Sequence, residues 1–440
     1  MTSSILLGSL EQLSRVPPTG VNHLQHMDEF VRFAELLQKQ HPQMGTGSWQ
    51  RFTLATALRQ LGLASLVGGV ASDLAVPSYE LLNRLDQALR GFPSKRRHLC
   101  PLDLASDLPA LAFGPNQVRT FSSSELEDLF DVQGLRRVNR QWSVDTKRFA
   151  EFTWLVVDED VSPETVAPGQ RRLPSMFSAI DRDFGRIEPY HTGLPVSVED
   201  ALFGLLVLPW EEIVDYLEMD WRGFQIPWVY TVDFDVFARR SPVPSPDSLA
   251  WEPATQFDAD GNEYEYERPI SYPLHPGSED KLAFANDATW QDIKAARKTV
   301  LFARPVAHFF IRGFQTSGID EFLAHISAVE SALGQPQDHH AQSRKRIDGK
   351  SPGATYRVTQ RISGLLGDKT FGETYSRLFK LRSDFLHGKA MAAISGRDRT
   401  SARLLARKIV CELIGVAVNS TTIDREQLLD DLLEKGAQLR

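Results

Sequence analysis

The chain contains 440 residues, of which 42% are hydrophobic and 24% charged, and its formal net charge is −8. This length is enough for about three domains of ordinary size, or for two larger ones. Only two cysteines are present and no window of about 18 uncharged apolar residues occurs, which excludes a disulfide framework and argues against a membrane span. Because the first residues also lack a basic leader, we expect a soluble protein of the cytoplasm.

The first region, residues 1–110, is predicted to be mostly helical. Apolar residues recur at helical spacing in residues 24–40, 48–66 and 78–89. After residue 91 the pattern loosens into shorter elements, which marks a soft boundary before the next region.

The second region, residues 111–286, is predicted to mix helices and strands, and it could form one domain with the part before it. The stretches EFTWLVVDED and WVYTVDFDVFARR are typical of strands, and SVEDALFGLLVLPW is typical of a helix that breaks near Pro209. In FDADGNEYEYERP, a hairpin turning at Asp260 and Gly261 is favoured over a calcium loop, because no acidic residue closes a twelve-residue loop. The Pro-rich and acidic residues 241–280 are the best candidate for a linker.

The third region, residues 287–440, is predicted to be a helical bundle. Its candidate helices cover residues 289–302, 319–333, 355–366, 371–387, 401–418 and 425–433. Residues 334–353 interrupt the pattern and are predicted to form a mobile basic loop, with Arg344, Lys345 and Arg346 as candidate RNA contacts. The fold class expected for the whole chain is therefore α+β, predominantly helical.

Charge is distributed unevenly along the chain. Residues 291–440 carry 24 Lys and Arg against 16 Asp and Glu, a net +8, whereas residues 1–290 carry 25 against 41, a net −16. A basic final third suits a polyanionic partner such as RNA, because phosphate contacts supply most non-specific affinity. A chance difference between domains remains an equal alternative.

The segment LRSDFLHG is the strongest candidate for a chemical site, since Arg382 falls in the middle of an apolar helical stripe. A guanidinium cannot escape burial by losing its charge, so it must meet a carboxylate, another chain or an anionic ligand. Glu330 and Arg361 also lie on apolar stripes of their own helices. We therefore expect Glu330 to lie near Arg361, Arg382 or both, and a purely structural ion pair is the simpler interpretation for Glu330 and Arg361.

Residues of about 290–437 resemble the HEPN superfamily, and within it the Apea-like HEPN domains. The resemblance rests on HISAVESALG, YRVTQRISGLLG and LFKLRSDFLHG, which look like the family's glutamate helix, arginine helix and Arg-x4-His signature segment. The first 290 residues show no clear family resemblance. The similarity implies a helical bundle that forms a homodimer and acts as a metal-independent endoribonuclease, of a type similar to those used in toxin and antiphage systems.

On this resemblance, Arg382 and His387 are the candidate catalytic residues. A histidine suits proton transfer to and from the ribose oxygens, and a planar guanidinium suits the phosphate, so the expected products are a 2′,3′-cyclic phosphate and a 5′-hydroxyl. Ser383 is a candidate for orienting the phosphate or the imidazole, and Lys389 is a candidate phosphate contact, although a solvated lysine is the simpler description.

Five steps of about 100° place His387 roughly 140° from Arg382 around a regular helix. Either the helix ends near Leu386, which Gly388 would allow, or two chains pack so that both copies of the motif line one cleft. The resemblance favours the dimer. We expect no metal or other cofactor, since the remaining histidines lack companion ligands and no P-loop motif occurs.

Two alternatives to the nuclease remain open. The same residues could bind a nucleotide or RNA, or stabilise a dimer, in a non-catalytic adaptor; or Arg382 could pair with Glu330 for purely structural reasons. In the nuclease interpretation, the N-terminal two-thirds sense a regulatory protein or a phage-derived trigger, or hold the nuclease in check by charge complementarity.

Overall fold

The computed structural model describes residues 2–439, apart from 46, 68–71, 106–107, 172, 174–192, 213–222, 259, 303, 341–351, 389–393 and 421. The α-helices of the described residues are α1 Thr2–Ser14, α2 Val21–Leu24, α3 Asp28–Gln40, α4 Ser48–Leu61, α5 Ala64–Val67, α6 Ser78–Leu89, α7 Ser123–Leu129, α8 Val132–Val138, α9 Thr146–Phe149, α10 Val196–Leu206, α11 Ser278–Leu282, α12 Asp287–Arg297, α13 Arg304–Gln315, α14 Gly318–Leu333, α15 Ala354–Leu366, α16 Lys369–Leu386, α17 Gly396–Asn419 and α18 Arg425–Gln438. The strands are β1 Ser94–Leu102, β2 Leu111–Phe113, β3 Asn116–Thr120, β4 Thr153–Val161, β5 Tyr230–Asp233, β6 Trp251–Phe257 and β7 Glu263–Pro269.

The α+β class with a helical C-terminal region is confirmed. The chain divides into two compact units, each made of three separate segments. Unit 1 comprises Met1–Pro101, Thr120–Arg186 and Pro227–Arg268, and unit 2 comprises Leu102–Arg119, Ile187–Ile226 and Pro269–Arg440. This division differs from the three contiguous regions drawn from the sequence, which stay predictions about independent folding.

Unit 1 begins with the amphipathic helices that the sequence predicted. In α3, Phe30, Phe33 and Leu37 line the buried face, while acidic residues occupy its first turn and Lys39 its last, as the helix dipole favours. These apolar faces join those of α1, α4 and α6 in one hydrophobic core. Burial of these faces, rather than helix propensity alone, stabilises helices of this length.

In unit 1, β1 is hydrogen-bonded to β4 on one side and to β5 on the other. Strands β1 and β5 are antiparallel, with Arg96 opposite Asp233 and His98 opposite Thr231. Strand β4 is the predicted EFTWLVVDED strand, and its Trp154 is fully buried beside Phe130 and Phe149 in a second core. The predicted hairpin at Gly261 is also confirmed, since β6 and β7 pair and Gly261 has φ +82°.

Unit 2 contains the antiparallel β2–β3 hairpin, α10 and the C-terminal helices. Helix α14 packs against α13 and α17, and α15 packs against α16 and α18. Helices α15 and α18 cross closely because Gly364 and Gly436 face each other's backbones, where a Cβ atom would overlap the carbonyl oxygens of Leu432 and Gln360. None of the described helices is long and apolar enough to cross a membrane.

Candidate functional site

Helix α16 carries Arg382 and ends at Leu386, immediately before His387. The His387 amide donates to the Ser383 carbonyl at 3.0 Å, and the Gly388 amide donates to the Phe385 carbonyl at 3.1 Å. Gly388 has φ +65°, the left-handed conformation that commonly ends a helix. Of the two arrangements offered by the sequence, termination of the helix near Leu386 is therefore observed, and the two-chain cleft stays a prediction.

The histidine of the motif is exposed. His387 is the C-cap residue of α16, with φ −91° and ψ 7°, and neighbouring Leu386 is 54% exposed. Among the described residues, the His387 side chain has neither a hydrogen bond nor an ion pair. Its imidazole is therefore accessible to an external phosphate or ribose.

Arg382 is half-buried and faces Glu330 of α14. The distance from Arg382 Nη2 to Glu330 Oε2 is 3.6 Å, and the two side chains are 26% and 31% exposed. The Arg382 guanidinium also lies 5.7 Å from the centre of the Phe379 ring, while its Nε has no hydrogen-bond partner within the described part of the chain. The expected Glu330–Arg382 pair is confirmed, but it is too long to be a hydrogen bond and leaves donors of Arg382 available.

Burial dominates the electrostatics around this pair. It raises the pKa of Glu330, and the nearby charges of Arg382 and then His339 only partly oppose the shift. Burial also raises the pKa of Tyr375, and the negative charge of Glu330 adds to this effect. His339 was assigned to the basic loop in the sequence analysis, yet it is an exposed imidazole close enough to act on Glu330.

Arg361 occupies a different site from Arg382, so its expected pairing with Glu330 is corrected. Arg361 is fully buried and forms a bidentate ion pair with Asp338. Its remaining N–H groups donate to the Leu333 carbonyl at 2.9 Å, the Leu429 carbonyl at 3.1 Å and the Gln335 side chain at 2.9 Å. All its donors are thus satisfied inside the protein, and Arg361 holds α14, α15 and α18 together.

Asp338 is the buried acid that the sequence analysis missed. It lies in a short 3-10 helix, Pro336–His339, within the segment predicted as a mobile basic loop. Its carboxylate also accepts from Arg357 Nε and from the Gln335 amide, both at 2.9 Å. Burial acts to raise the pKa of Asp338, but the bonds and charge of Arg361 outweigh it, so the pKa is lowered. The Gln-x-x-Asp capping box that begins at Gln335 was the sequence pattern from which this short helix and its acid could have been predicted.

A second buried acid, Glu321, lies near the start of α14. Its carboxylate is 3.3 Å from Arg403 Nε and 3.9 Å from both Arg399 Nη1 and His325 Nε2. Glu321 and His325 stand four residues apart among apolar residues, so the stripe argument that selected Glu330 could also have found them. These charged side chains connect α14 with α17, and Glu321 itself is fully buried.

The remaining predicted site residues are Ser383, Lys389, Arg344, Lys345 and Arg346. Ser383 is half-buried on α16, and its described contact is the carbonyl that accepts the His387 amide. Lys389 and the predicted RNA contacts Arg344, Lys345 and Arg346 lie outside the described residues.

The groups described around the end of α16 are the Arg382 guanidinium, the exposed His387 imidazole and the largely buried Glu330 carboxylate, on which His339 also acts. A guanidinium can bind a phosphate, and an imidazole can transfer protons. In the part of the chain that the structure describes, no three His, Cys, Asp or Glu side chains cluster as metal ligands. No protein-family model matches this chain, and neither a curated protein nor a solved structure matches it.

Proposed function

We propose that the chain is a metal-independent endoribonuclease whose C-terminal helices form a HEPN-like bundle. The observation that carries the proposal is the end of α16, where Arg382 lies 3.6 Å from Glu330 without a hydrogen bond to it and His387 is exposed at the helix terminus. A guanidinium and an imidazole, one before and one after a helix end, supply the two group types that RNA cleavage requires.

In the proposed reaction, the ribose 2′-oxygen attacks the adjacent phosphorus and the bond to the 5′-oxygen breaks. A proton leaves the 2′-hydroxyl and another reaches the departing 5′-oxygen, which leaves a 2′,3′-cyclic phosphate and a 5′-hydroxyl. His387 transfers protons, with His339 as a second imidazole on the Glu330 side, and Arg382 stabilises the crowded phosphate. Glu330 orients Arg382, and Ser383 orients the phosphate or imidazole.

We further propose that the active form is a homodimer. The exposed Leu386, beside His387, is an apolar side chain that a second copy would cover. Packing two helix ends together would bring both motifs to one cleft. Lys389, Arg344, Lys345 and Arg346 are the proposed additional RNA contacts.

The proposed biological role is that of a toxin or antiphage effector in the cytoplasm, restrained by residues 1–286. That part of the chain carries the excess of acidic residues. A regulatory protein or a phage-derived trigger would relieve the restraint.

The contact between Arg382 and Glu330 also supports a second function, that of a non-catalytic adaptor. A carboxylate beside the guanidinium offsets part of the charge that would otherwise stabilise a phosphate in the transition state. Such an adaptor would bind RNA or a nucleotide, or dimerise, without cleaving.

The test is incubation of the full chain with total cellular RNA in EDTA. Wild type is compared with Arg382→Ala, His387→Ala and His339→Ala, and with Lys380→Ala as the matched control, an exposed cation on the same helix. Loss of a proton-transfer group should slow cleavage by about 10²–10⁴-fold, whereas the control should cleave normally.

Three outcomes decide between the interpretations. Intact RNA in every sample, together with RNA binding in a mobility-shift assay, would support the adaptor. Equal cleavage by wild type, Arg382→Ala and His387→Ala would refute the assigned site. Full-rate cleavage by a protein shown to be monomeric by light scattering would refute the shared cleft.

A further inference from the structure

A polar pocket of about 480 Å³ lies within unit 1, whereas the residues proposed for catalysis belong to unit 2. It is bordered by the ends of α4 and α6, by α8 and by the segment that follows β5. Four arginine side chains line it: Arg84, Arg137, Arg171 and Arg240. Its volume is in the range of small-ligand sites.

The positive charge of this pocket is only half compensated by its own lining. Arg171 forms a bidentate pair with Asp235, at 3.0 and 2.5 Å, and Arg240 lies 2.5 Å from Asp131. Arg84 contacts Glu80, an i,i+4 neighbour that does not line the pocket. Among the described lining residues, four arginines and two aspartates sum to +2, and Glu80 beside Arg84 lowers the local charge to +1.

Arg137 is the least compensated of the four. Its Nε donates to the Leu74 carbonyl at 3.0 Å, which carries no formal charge. Burial lowers the pKa of Arg137; Asp131 opposes this, and the charges of Arg84 and Arg240 lower it further. Several guanidinium groups therefore lie close enough to repel one another, and a bound anion would relieve that repulsion.

The pocket wall has a specialised backbone at Asp131, the N-cap residue of α8. Asp131 adopts the left-handed region with φ +48°, which is uncommon for a residue other than glycine. Its carboxylate accepts from the Gly134 amide at 3.2 Å while it contacts Arg240. A side chain at Gly134 would overlap both the Asp131 carboxylate and the Arg240 guanidinium, so a glycine is required for this arrangement.

Two phenyl rings complete the lining. Phe92 is 53% exposed and Phe234 is 39% exposed. The Arg97 guanidinium lies 5.9 Å from the centre of the Phe234 ring. Exposed aromatic faces are platforms on which a nucleobase can stack.

We propose that this pocket binds a nucleoside monophosphate, with the phosphate at Arg84 and Arg137 and the base against Phe92 and Phe234. A dianionic phosphate would compensate Arg137 and compete with Glu80 for Arg84, and guanidinium groups bind phosphate oxygens through paired hydrogen bonds. The pocket belongs to unit 1, and this assignment is independent of the proposed nuclease activity.

The test is isothermal titration calorimetry of the full chain with AMP and UMP, with inorganic phosphate, ribose 5-phosphate and adenosine as further ligands. At least one nucleotide should bind with Kd in the range of about 1–100 µM, which corresponds to roughly 5–8 kcal/mol. Inorganic phosphate and adenosine should each bind at least tenfold more weakly, because each lacks one half of the recognition.

Variants locate the site. Arg84→Gln and Arg137→Gln should each weaken nucleotide binding at least tenfold, and Phe92→Ala should weaken nucleotide binding while leaving phosphate binding unchanged. Arg32→Gln, which removes an exposed arginine elsewhere on unit 1, should bind as wild type does. Circular dichroism and thermal melting check that each variant is folded, and the exposed position of Arg84 makes its variant the most secure.

Three results would overturn the proposal. The first is the absence of binding by both nucleotides at 1 mM, which is about tenfold above the weakest expected Kd. The second is inorganic phosphate binding as tightly as the nucleotides, which would leave no role for the rings. The third is wild-type affinity in folded Arg84→Gln and Arg137→Gln.

Discussion

Replacing Asp338 by alanine should selectively destabilise the C-terminal helices. The Asp338 side chain is 2% exposed, and its carboxylate binds Arg361, Arg357 and the Gln335 amide. After the substitution, Arg361 keeps its bonds to two carbonyls and to Gln335 but loses its only carboxylate. Breaking one side of a buried ion pair costs about 3–5 kcal/mol, because the remaining charge stays buried without compensation.

Native-state hydrogen exchange measured by mass spectrometry is the appropriate assay. A chain with two compact units need not unfold in a single transition, so a local probe is preferable to a global melting curve. At 1.36 kcal/mol per factor of ten, a loss of 3 kcal/mol accelerates exchange by about 150-fold in peptides from α15. Glu373→Ala removes an exposed acid from the neighbouring α16 and should change exchange less than threefold, since such surface substitutions stay within about 0.5 kcal/mol.

A double variant separates the ion pair from general loss of packing. Replacing both Asp338 and Arg361 by leucine should recover much of the stability lost in the single Asp338→Ala variant, because no uncompensated charge remains. If α15 exchange in Asp338→Ala rises less than about threefold, or equals that of Glu373→Ala, then the network does not stabilise this region as inferred.

Three further predictions address stability and reactivity. Gly436→Ala should destabilise unit 2 by about 1–3 kcal/mol, because the new methyl group meets a backbone carbonyl that cannot rotate away. Gly415→Ala, in open space on α17, should instead stabilise the protein by up to about 1 kcal/mol. Urea midpoints compare the two variants, and equal effects would contradict the close crossing of α15 and α18. The folded pKa of Asp338 lies below its ordinary value of 3.8, so the contribution of its ionised carboxylate to stability is complete above about pH 4 and is lost as the pH falls through the folded pKa. The urea midpoints of wild type and Asp338→Asn should therefore converge at low pH. A gap between the midpoints that stays constant with pH would refute this. Burial raises the pKa of Cys411 to about 11 and also raises that of Cys100. A chromogenic thiol reagent at pH 8 should therefore react slowly with the native protein and rapidly with both thiols after denaturation. Fast reaction of both thiols in the native protein would show that burial does not protect them.

The helices that could be predicted from the sequence are those with one apolar and one polar face. Helices α3, α6 and α14 follow the 3.6-residue pattern, and the Arg382–Glu330 contact was expected because both charges fall on such faces. Gly388 indicated that the helix could end after Leu386. The sequence could not decide between this ending and the two-chain alternative, because both arrangements fit the same local sequence.

Elements whose polar residues find distant partners were missed. Strand β1 carries three consecutive basic residues directly after Ser94 and shows no alternation, yet Arg97 binds Asp158 at 2.7 Å and Arg96 binds Asp233 at 2.8 Å. Each acid lies more than 60 residues away in sequence. Asp338 escaped notice for the same reason, because a polar loop shows no periodicity and its partner Arg361 was considered only as one of two possible partners of Glu330.

The division of each unit into three segments has a consequence for the order of synthesis. The chain passes between the two units five times, so unit 1 is incomplete until residue 268 has left the ribosome and unit 2 remains incomplete long after that. A fragment beginning at residue 287 would lack residues 102–119 and 187–226, including α10, which packs against α13. Arg382 and His387 follow residues 1–286 in the chain, so a ribonuclease centre of the proposed kind could not assemble before the whole of the proposed restraint had been translated.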